Sequence, residues 1–196
     1  DYLTIMINSG GSFMWASRYN YANLDDGAIS VEIQNSNNIV VTGGSQSTTT
    51  SFDAATVTYD GNGNQLGVER QNSLTISQAI ALATDDLGNV YITGFKDNAS
   101  GNTDFFTKTH DEAGFNDAAE DIFIDDAYNV YVTGNVINST GTSNVKTIKY
   151  NSTGNLVWEK NFKPMDAQTV YSDIDMAWNN ADDIGITCAK HLYGNT

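Results

Sequence analysis

Asn89-Val90-Tyr91-Ile92-Thr93-Gly94 recurs as Asn129-Val130-Tyr131-Val132-Thr133-Gly134 and, less faithfully, as Asn38-Ile39-Val40-Val41-Thr42-Gly43. A degraded copy, Asp183-Ile184-Gly185-Ile186-Thr187-Cys188, follows near the end. The closing residues lie 51, 40 and 54 positions apart (43 to 94, 94 to 134, 134 to 188). Ten and twelve residues before each closing residue stand Ile33 and Val31, Thr84 and Leu82, Ile124 and Ile122, Trp178 and Met176. Spacing by two is the period of a strand, and no helical stripe is sustained anywhere. Asp85-Asp86-Leu87-Gly88 and Asp125-Asp126-Ala127-Tyr128 lie between the two strands and carry hairpin-turn chemistry.

A polar loop follows each Thr-Gly, then a third strand of the form D/N-x-x-T-x-x-Y/H/I. It reads Asp1, Thr4, Ile7; Asp53, Thr56, Tyr59; Asp104, Thr107, His110; and Asn144, Thr147, Tyr150. A glycine turn leads into a fourth strand, where Gly11-Ser12-Phe13-Met14-Trp15 matches Gly154-Asn155-Leu156-Val157-Trp158. The copy from Gly63 to Gly67 lacks the tryptophan, and the copy after Gly114 is missing, which accounts for the short spacing. Four short antiparallel strands repeated at about 50 residues predict a propeller blade. Such a sheet is apolar on both faces and is stable only between neighbours.

The pattern D-x-x-G-N-V-Y-V-T-G, then D-x-x-T-x-K-Y-N and G-x-L-x-W, resembles the bacterial secreted β-propeller repeat, the SBBP repeat. Asp85 to Gly94, Asp125 to Gly134 and Asn144 to Trp158 carry the resemblance, which extends over nearly the whole chain. The chain departs from it at the missing strand near Phe115 and at Cys188, where the family has glycine. The resemblance implies an exported or cell-surface bacterial protein and a propeller architecture. It does not imply a reaction.

The expected fold is therefore all-β, a single domain over 1–196. It has about four four-stranded blades at roughly 28–73, 74–115, 116–163 and 166–190. Residues 1–20 would complete the last blade at 166–190, and closing first and last segments in one sheet would remove two exposed edges. The alternative is a set of consecutive blades from a larger ring.

Charged residues make up only 17 % of the 196, yet the formal net charge is −15. An acidic surface without a basic stripe repels phosphate backbones, so nucleic acid is excluded as an expected partner. No run of 18 apolar residues predicts membrane insertion. The single cysteine, Cys188, excludes an intramolecular disulfide framework.

Each chemical candidate has a competing structural reading. His110 takes the third-strand position of Tyr59 and Tyr150, and His191 lacks a partner at ligand spacing. Cys188 and His191, three residues apart in an extended segment, point to opposite faces. Asp60, Asn62 and Asn64 resemble the opening of a calcium loop, but Gln65 and Gln71 stand where glycine and a bidentate glutamate belong. No cofactor is expected, with calcium at this turn as the minority reading. The acidic pairs Asp25-Asp26, Asp85-Asp86, Asp125-Asp126 and Asp182-Asp183 recur at turns, which favours turn chemistry over catalysis. Trp15, Trp158 and Trp178 could stack on sugars, but their repeat positions favour packing between blades.

The loops after each Thr-Gly, Gly44 to Ser51, Phe95 to Thr103 and Asn135 to Ser143, differ between copies. Loops free to vary on a fixed scaffold are the expected recognition rim. Its candidate residues are Ser45, Ser47, Lys96, Asp97, Asn98, Asn102, Asn135 and Asn138. The expected function is a non-enzymatic scaffold or adhesion module, secreted or on the cell surface, binding an extracellular protein or glycan. Neighbouring domains or self-assembly through blade edges complete the expected partners. A propeller-type hydrolase or lyase acting on extracellular polysaccharide is the alternative activity.

Overall fold

The structure is a computed structural model that describes residues 1–34, 36–47, 52–71, 77–97, 103–105, 117–137, 142–163, 169–179 and 183–192. Among these residues the fold is all-β, with no helix. The strands run β1 (Tyr2–Ile7), β2 (Phe13–Tyr19), β3 (Asp26–Ile33), β4 (Ile39–Ser45), β5 (Asp53–Tyr59), β6 (Gln65–Arg70), β7 (Ser77–Thr84) and β8 (Val90–Asp97). They continue with β9 (Thr103–Phe105), β10 (Asp117–Ile124), β11 (Val130–Ile137), β12 (Ser143–Tyr150), β13 (Leu156–Phe162), β14 (Thr169–Trp178) and β15 (Ile184–Leu192). The chain divides into two compact units, Asp1–Ile92 and Thr93–Thr196, with the division inside β8.

Every ladder is an up-and-down antiparallel hairpin. Two sheets have the expected four strands in sequence order, β3-β4-β5-β6 and β10-β11-β12-β13. The sheet β7-β8-β9 shows three strands among the described residues, and the segment where its fourth strand was expected to be missing lies outside them. Among the described residues β1-β2, in the first unit, and β14-β15, in the second, are each a two-stranded sheet.

The repeated Thr-Gly does not end the second strand. β4 runs to Ser45, β8 to Asp97 and β11 to Ile137, so part of each expected loop is ladder. A bulge opposite the closing glycine lets the strand continue. The register slips at Ile29 in β3 and at Glu120 in β10, each facing the step between the repeat threonine and glycine. At Gly43 the approach is close: a Cβ there would sit 2.1 Å from the Gly27 carbonyl oxygen and 3.0 Å from the Ala28 Cα. Where Cys188 replaces the glycine, the register slips between Ser172 and Asp175, and Asp173 takes a left-handed φ of 50°.

In the first unit the β1-β2 hairpin packs on the β3-β6 sheet. Tyr2, Tyr19, Ile39, Val41, Ala55, Val57 and Tyr59 form the buried cluster, with Trp15 and Val68 against it. The Tyr2 hydroxyl donates to the Ala55 carbonyl (3.1 Å), and the Trp15 indole N–H donates to the Gly61 carbonyl (3.0 Å). β7 lies across β3, β4 and β5. In the second unit β14 lies in the same way across β10, β11 and β12. There Phe123 stacks on Trp178 at 5.3 Å, and Val145, Tyr171 and Ile174 pack around Cys188. The second strands differ in burial: Val130 and Val132 are buried, whereas Val90 is exposed. The described ladder between β8 and β9 covers only Phe95 to Asp97, well short of Val90.

Candidate functional site

The two ends of the sheets have different chemistry. At one end, the turns between strands are built by a single acidic or amide side chain that folds back on its own loop. The Asp85 carboxylate accepts from the backbone N–H groups of Leu87 (3.0 Å) and Asn89 (2.8 Å), the Asn89 amide (2.8 Å) and the Tyr91 hydroxyl (3.1 Å). Asp125 repeats the arrangement with Ala127, Asn129 and Tyr131, and the Lys149 ammonium lies 3.7 Å away. Asp60, the candidate calcium ligand, accepts from the backbone of Asn62 and Asn64 and from the Asn64 amide. Asn8 and Asn151 serve the same purpose in their turns. Short acidic side chains here do the work of an Asx turn.

At the other end, β3, β4, β5 and β6 carry a buried ionic network. Asp26 faces Ser45, and Ser45 faces Asp53, across three adjacent strands. All three are buried. The Arg70 guanidinium reaches over them from β6. It donates to the Asp53 carboxylate (3.0 Å), the Ser45 carbonyl (3.1 Å), the Tyr19 hydroxyl (2.9 Å) and the Ser45 hydroxyl. Ser45 in turn donates to Asp26, whose other oxygen accepts from the Tyr21 backbone (3.0 Å). The Tyr21 ring covers the guanidinium at 3.8 Å. Burial, with Tyr19 alongside, pushes the Tyr2 hydroxyl well above its ordinary range, so it acts only as a neutral donor here. The network holds two carboxylates against one cation, which fixes four strand ends and the chain before β3.

The corresponding positions of β10-β13, counted from the repeat, are Asp117, Val136, Asn144 and Asn161. No cation stands among them. Asp117 accepts from the Ile137 backbone (3.1 Å). In this unit the polar links run between sheets. The Asn135 amide donates to Glu120 (3.2 Å) and to the Tyr171 carbonyl (3.4 Å). Glu120 and Asp121 accept from the backbone N–H groups of Ile174 (2.7 Å) and Met176 (2.8 Å).

Of the rim candidates, Ser45 is fully buried within the ionic network, and Asn135 is a half-buried link between sheets. Lys96 and Asp97 are half-buried residues of β8, facing Asp104 and Thr103 of β9. Ser47 is half-buried just beyond β4. Asn98, Asn102 and Asn138 lie outside the described residues, as does His110. Sequence reasoning passed over Arg70, although its 17-residue spacing from Asp53 recurs between Asp1 and Arg18, which also pair.

Two sets of carboxyls are shifted in opposite directions. Burial raises Asp85 and Asp125, but the hydrogen bonds from Asn89 and Asn129 and from the tyrosines outweigh it and hold both below the ordinary range. The Asn64 amide and backbone hold Asp60 low as well. Burial raises Glu32, Glu120 and Asp121, and the hydrogen bonds from Thr84, Ile174 and Met176 only partly oppose it. Groups with raised folded values bind protons on folding, so acidification from neutrality stabilises the fold. Groups with lowered values contribute fully above the unfolded carboxylate range, about pH 4, and their contribution is lost below it. Melting temperature is therefore expected to rise from pH 7 to a maximum on the acid side and to fall below about pH 4. A monotonic fall from pH 7 downward in a calorimetric series would contradict the raised carboxyls.

No family model matches the chain, and no curated protein matches it. Among solved structures, it is similar to a protein of unknown function from Bacteroides caccae. The identity is 10 %, the TM-score is 0.39, and the match covers 80 % of this chain and 74 % of that one.

Proposed function

We propose that the chain is a run of propeller-blade repeats of the exported bacterial type, acting as a non-enzymatic scaffold or adhesion module. The observation that supports this reading is the contrast between the two ends of the sheets. Turn ends repeat one solution, an Asx turn at Asn8, Asp60, Asp85, Asp125 and Asn151. The opposite ends differ, with an ionic network at Arg70 in one sheet and an amide link at Asn135 in another. Packing needs are common to every blade, whereas individual polar chemistry at loop ends suits recognition of an extracellular protein or glycan. Ser45 and Asn135 support the loops from within, and contact with a partner falls to 46–52, 98–102 and 138–142.

Alanine blocks in each of these three loops, screened against glycan arrays and surface proteins with melting curves alongside, test the reading. The expected result is lost binding in at least one variant with an unchanged melting temperature. Loop variants that bind like the parent, while substitutions at the Asx-turn end abolish binding, would refute it.

A further inference from the structure

Two bulges meet at the joint between the β10-β13 sheet and the β14-β15 hairpin, both within the second unit. The slip in β10 leaves Glu120 out of register with β11, and the slip in β14 leaves Asp173 and Ile174 out of register with β15. A bulge re-aims side chains away from their own ladder, and here the bulged residues meet one another. The Ile174 N–H donates to Glu120 Oε2 at 2.7 Å, and the Met176 N–H donates to Asp121 Oδ2 at 2.8 Å. Side chains of β10 thus supply acceptors along the edge of β14 that faces away from β15.

The same joint gathers acids. Glu120 and Asp121 are half-buried. The charge of Asp173 bears on Glu120, and Asp175 is within hydrogen-bond reach of Asp121. β11 brings neutral groups, with Thr133 opposite Asp121 and the Asn135 amide donating to Glu120 Oε1 at 3.2 Å. β15 sets Ala189, Thr187 and Ile186 opposite Ser172, Asp175 and Met176, while its bases, Lys190 and His191, stand opposite Tyr171 and Val170. β9, which also packs on β10, carries the acid Asp104 and no base. The corresponding joint in the first unit is built differently. Ile29 and Ser30 stand where Glu120 and Asp121 do, β7 carries no charged residue, and the Glu32 carboxyl there bonds to Thr84.

Two carboxylates in contact repel, whereas a carboxylic acid and a carboxylate that share one proton form a strong hydrogen bond. Asp121 and Asp175 belong to different sheets, so a proton shared between them ties one sheet to the other. We infer that this joint is a proton-operated clamp: proton uptake by the Asp121–Asp175 pair and by Glu120 draws the β14-β15 hairpin onto the β10-β13 sheet. Burial, which raises both Glu120 and Asp121, acts in the same direction. Folded values above the unfolded ones make this contribution complete below the ordinary carboxylate range, about pH 4, and it is lost as pH rises through the raised values. The clamp therefore closes on acidification from neutrality and loosens on return.

Amide hydrogen exchange at Ile174 and Met176, corrected for the intrinsic rate at each pH, reads the clamp locally. From about pH 8 to about pH 5 their protection should grow at least about tenfold. The Thr84 amide, at the acid-poor joint of the first unit, should gain less. Glu120→Gln with Asp121→Asn keeps the acceptors and removes the charges, and should hold both amides at the acid level at every pH. Asp175→Asn, at an exposed site, serves if that double variant does not fold, and should flatten the response of Met176 more than that of Ile174. Protection that is flat with pH in the parent, or equal growth at Thr84, would overturn the inference. So would a parent-like slope at Met176 in D175N.

Discussion

Gly43→Ala is expected to destabilise the first unit by about 3 kcal/mol or more, lowering its melting temperature by roughly 10 °C. The added Cβ would lie 2.1 Å from the Gly27 carbonyl oxygen, and that oxygen belongs to the backbone of the paired strand. No rotamer change relieves such a contact. β4 is fully buried between β3 and β5, so it has nowhere to shift. Gly67→Ala is the control, since a Cβ there meets nothing within 4 Å. If the two variants melt together in thermal denaturation, the bulge at Ile29 is soft and the account of the Thr-Gly motif is wrong.

Arg70→Met is the second large effect, expected to cost about 3–5 kcal/mol. The substitution preserves most of the volume but leaves Asp26 and Asp53 buried without a cation. Arg70→Lys should recover only part of the loss. A single ammonium cannot replace the planar fork that bonds Asp53, Ser45 and Tyr19 together beneath the Tyr21 ring. Arg18, at the same repeat position, is 70 % exposed beside Asp1, so Arg18→Met should cost under about 1 kcal/mol. Equal unfolding midpoints for R70M and R18M in urea would remove the distinction between a buried and an exposed copy of the same pair.

Strand period and turn chemistry were legible because they depend on neighbouring residues. Ile122 and Ile124, two apart, and the turn at Asp125 read correctly from the chain alone. The limits of the loops were not legible, since the bulge that carries β4 on to Ser45 depends on two strands meeting at Gly43 and Gly27. Ser45 and Asn135 looked like rim residues because polar side chains after Thr-Gly are exposed by default. Here Arg70 and Asp26, both distant in sequence, turn Ser45 inward. One signal in the repeat was available and unused. Aspartate opens the turn where tyrosine stands six residues on, at Asp85 with Tyr91 and Asp125 with Tyr131. Where the later position is Val40 or Gly185, the opener is Gln34 or Asn179. That covariation is the hydrogen bond between carboxylate and phenol, written into the sequence.

The lie of β7 across β3-β4-β5, matched by β14 across β10-β11-β12, bears on how such a chain can change length over evolutionary time. Both of these junctions join one sheet to the first strand of its successor. An in-frame duplication of one repeat therefore creates a junction of a kind the chain already contains, and a deletion removes one without orphaning another. Length is free to drift in whole repeats, while a partial insertion leaves an apolar sheet face uncovered.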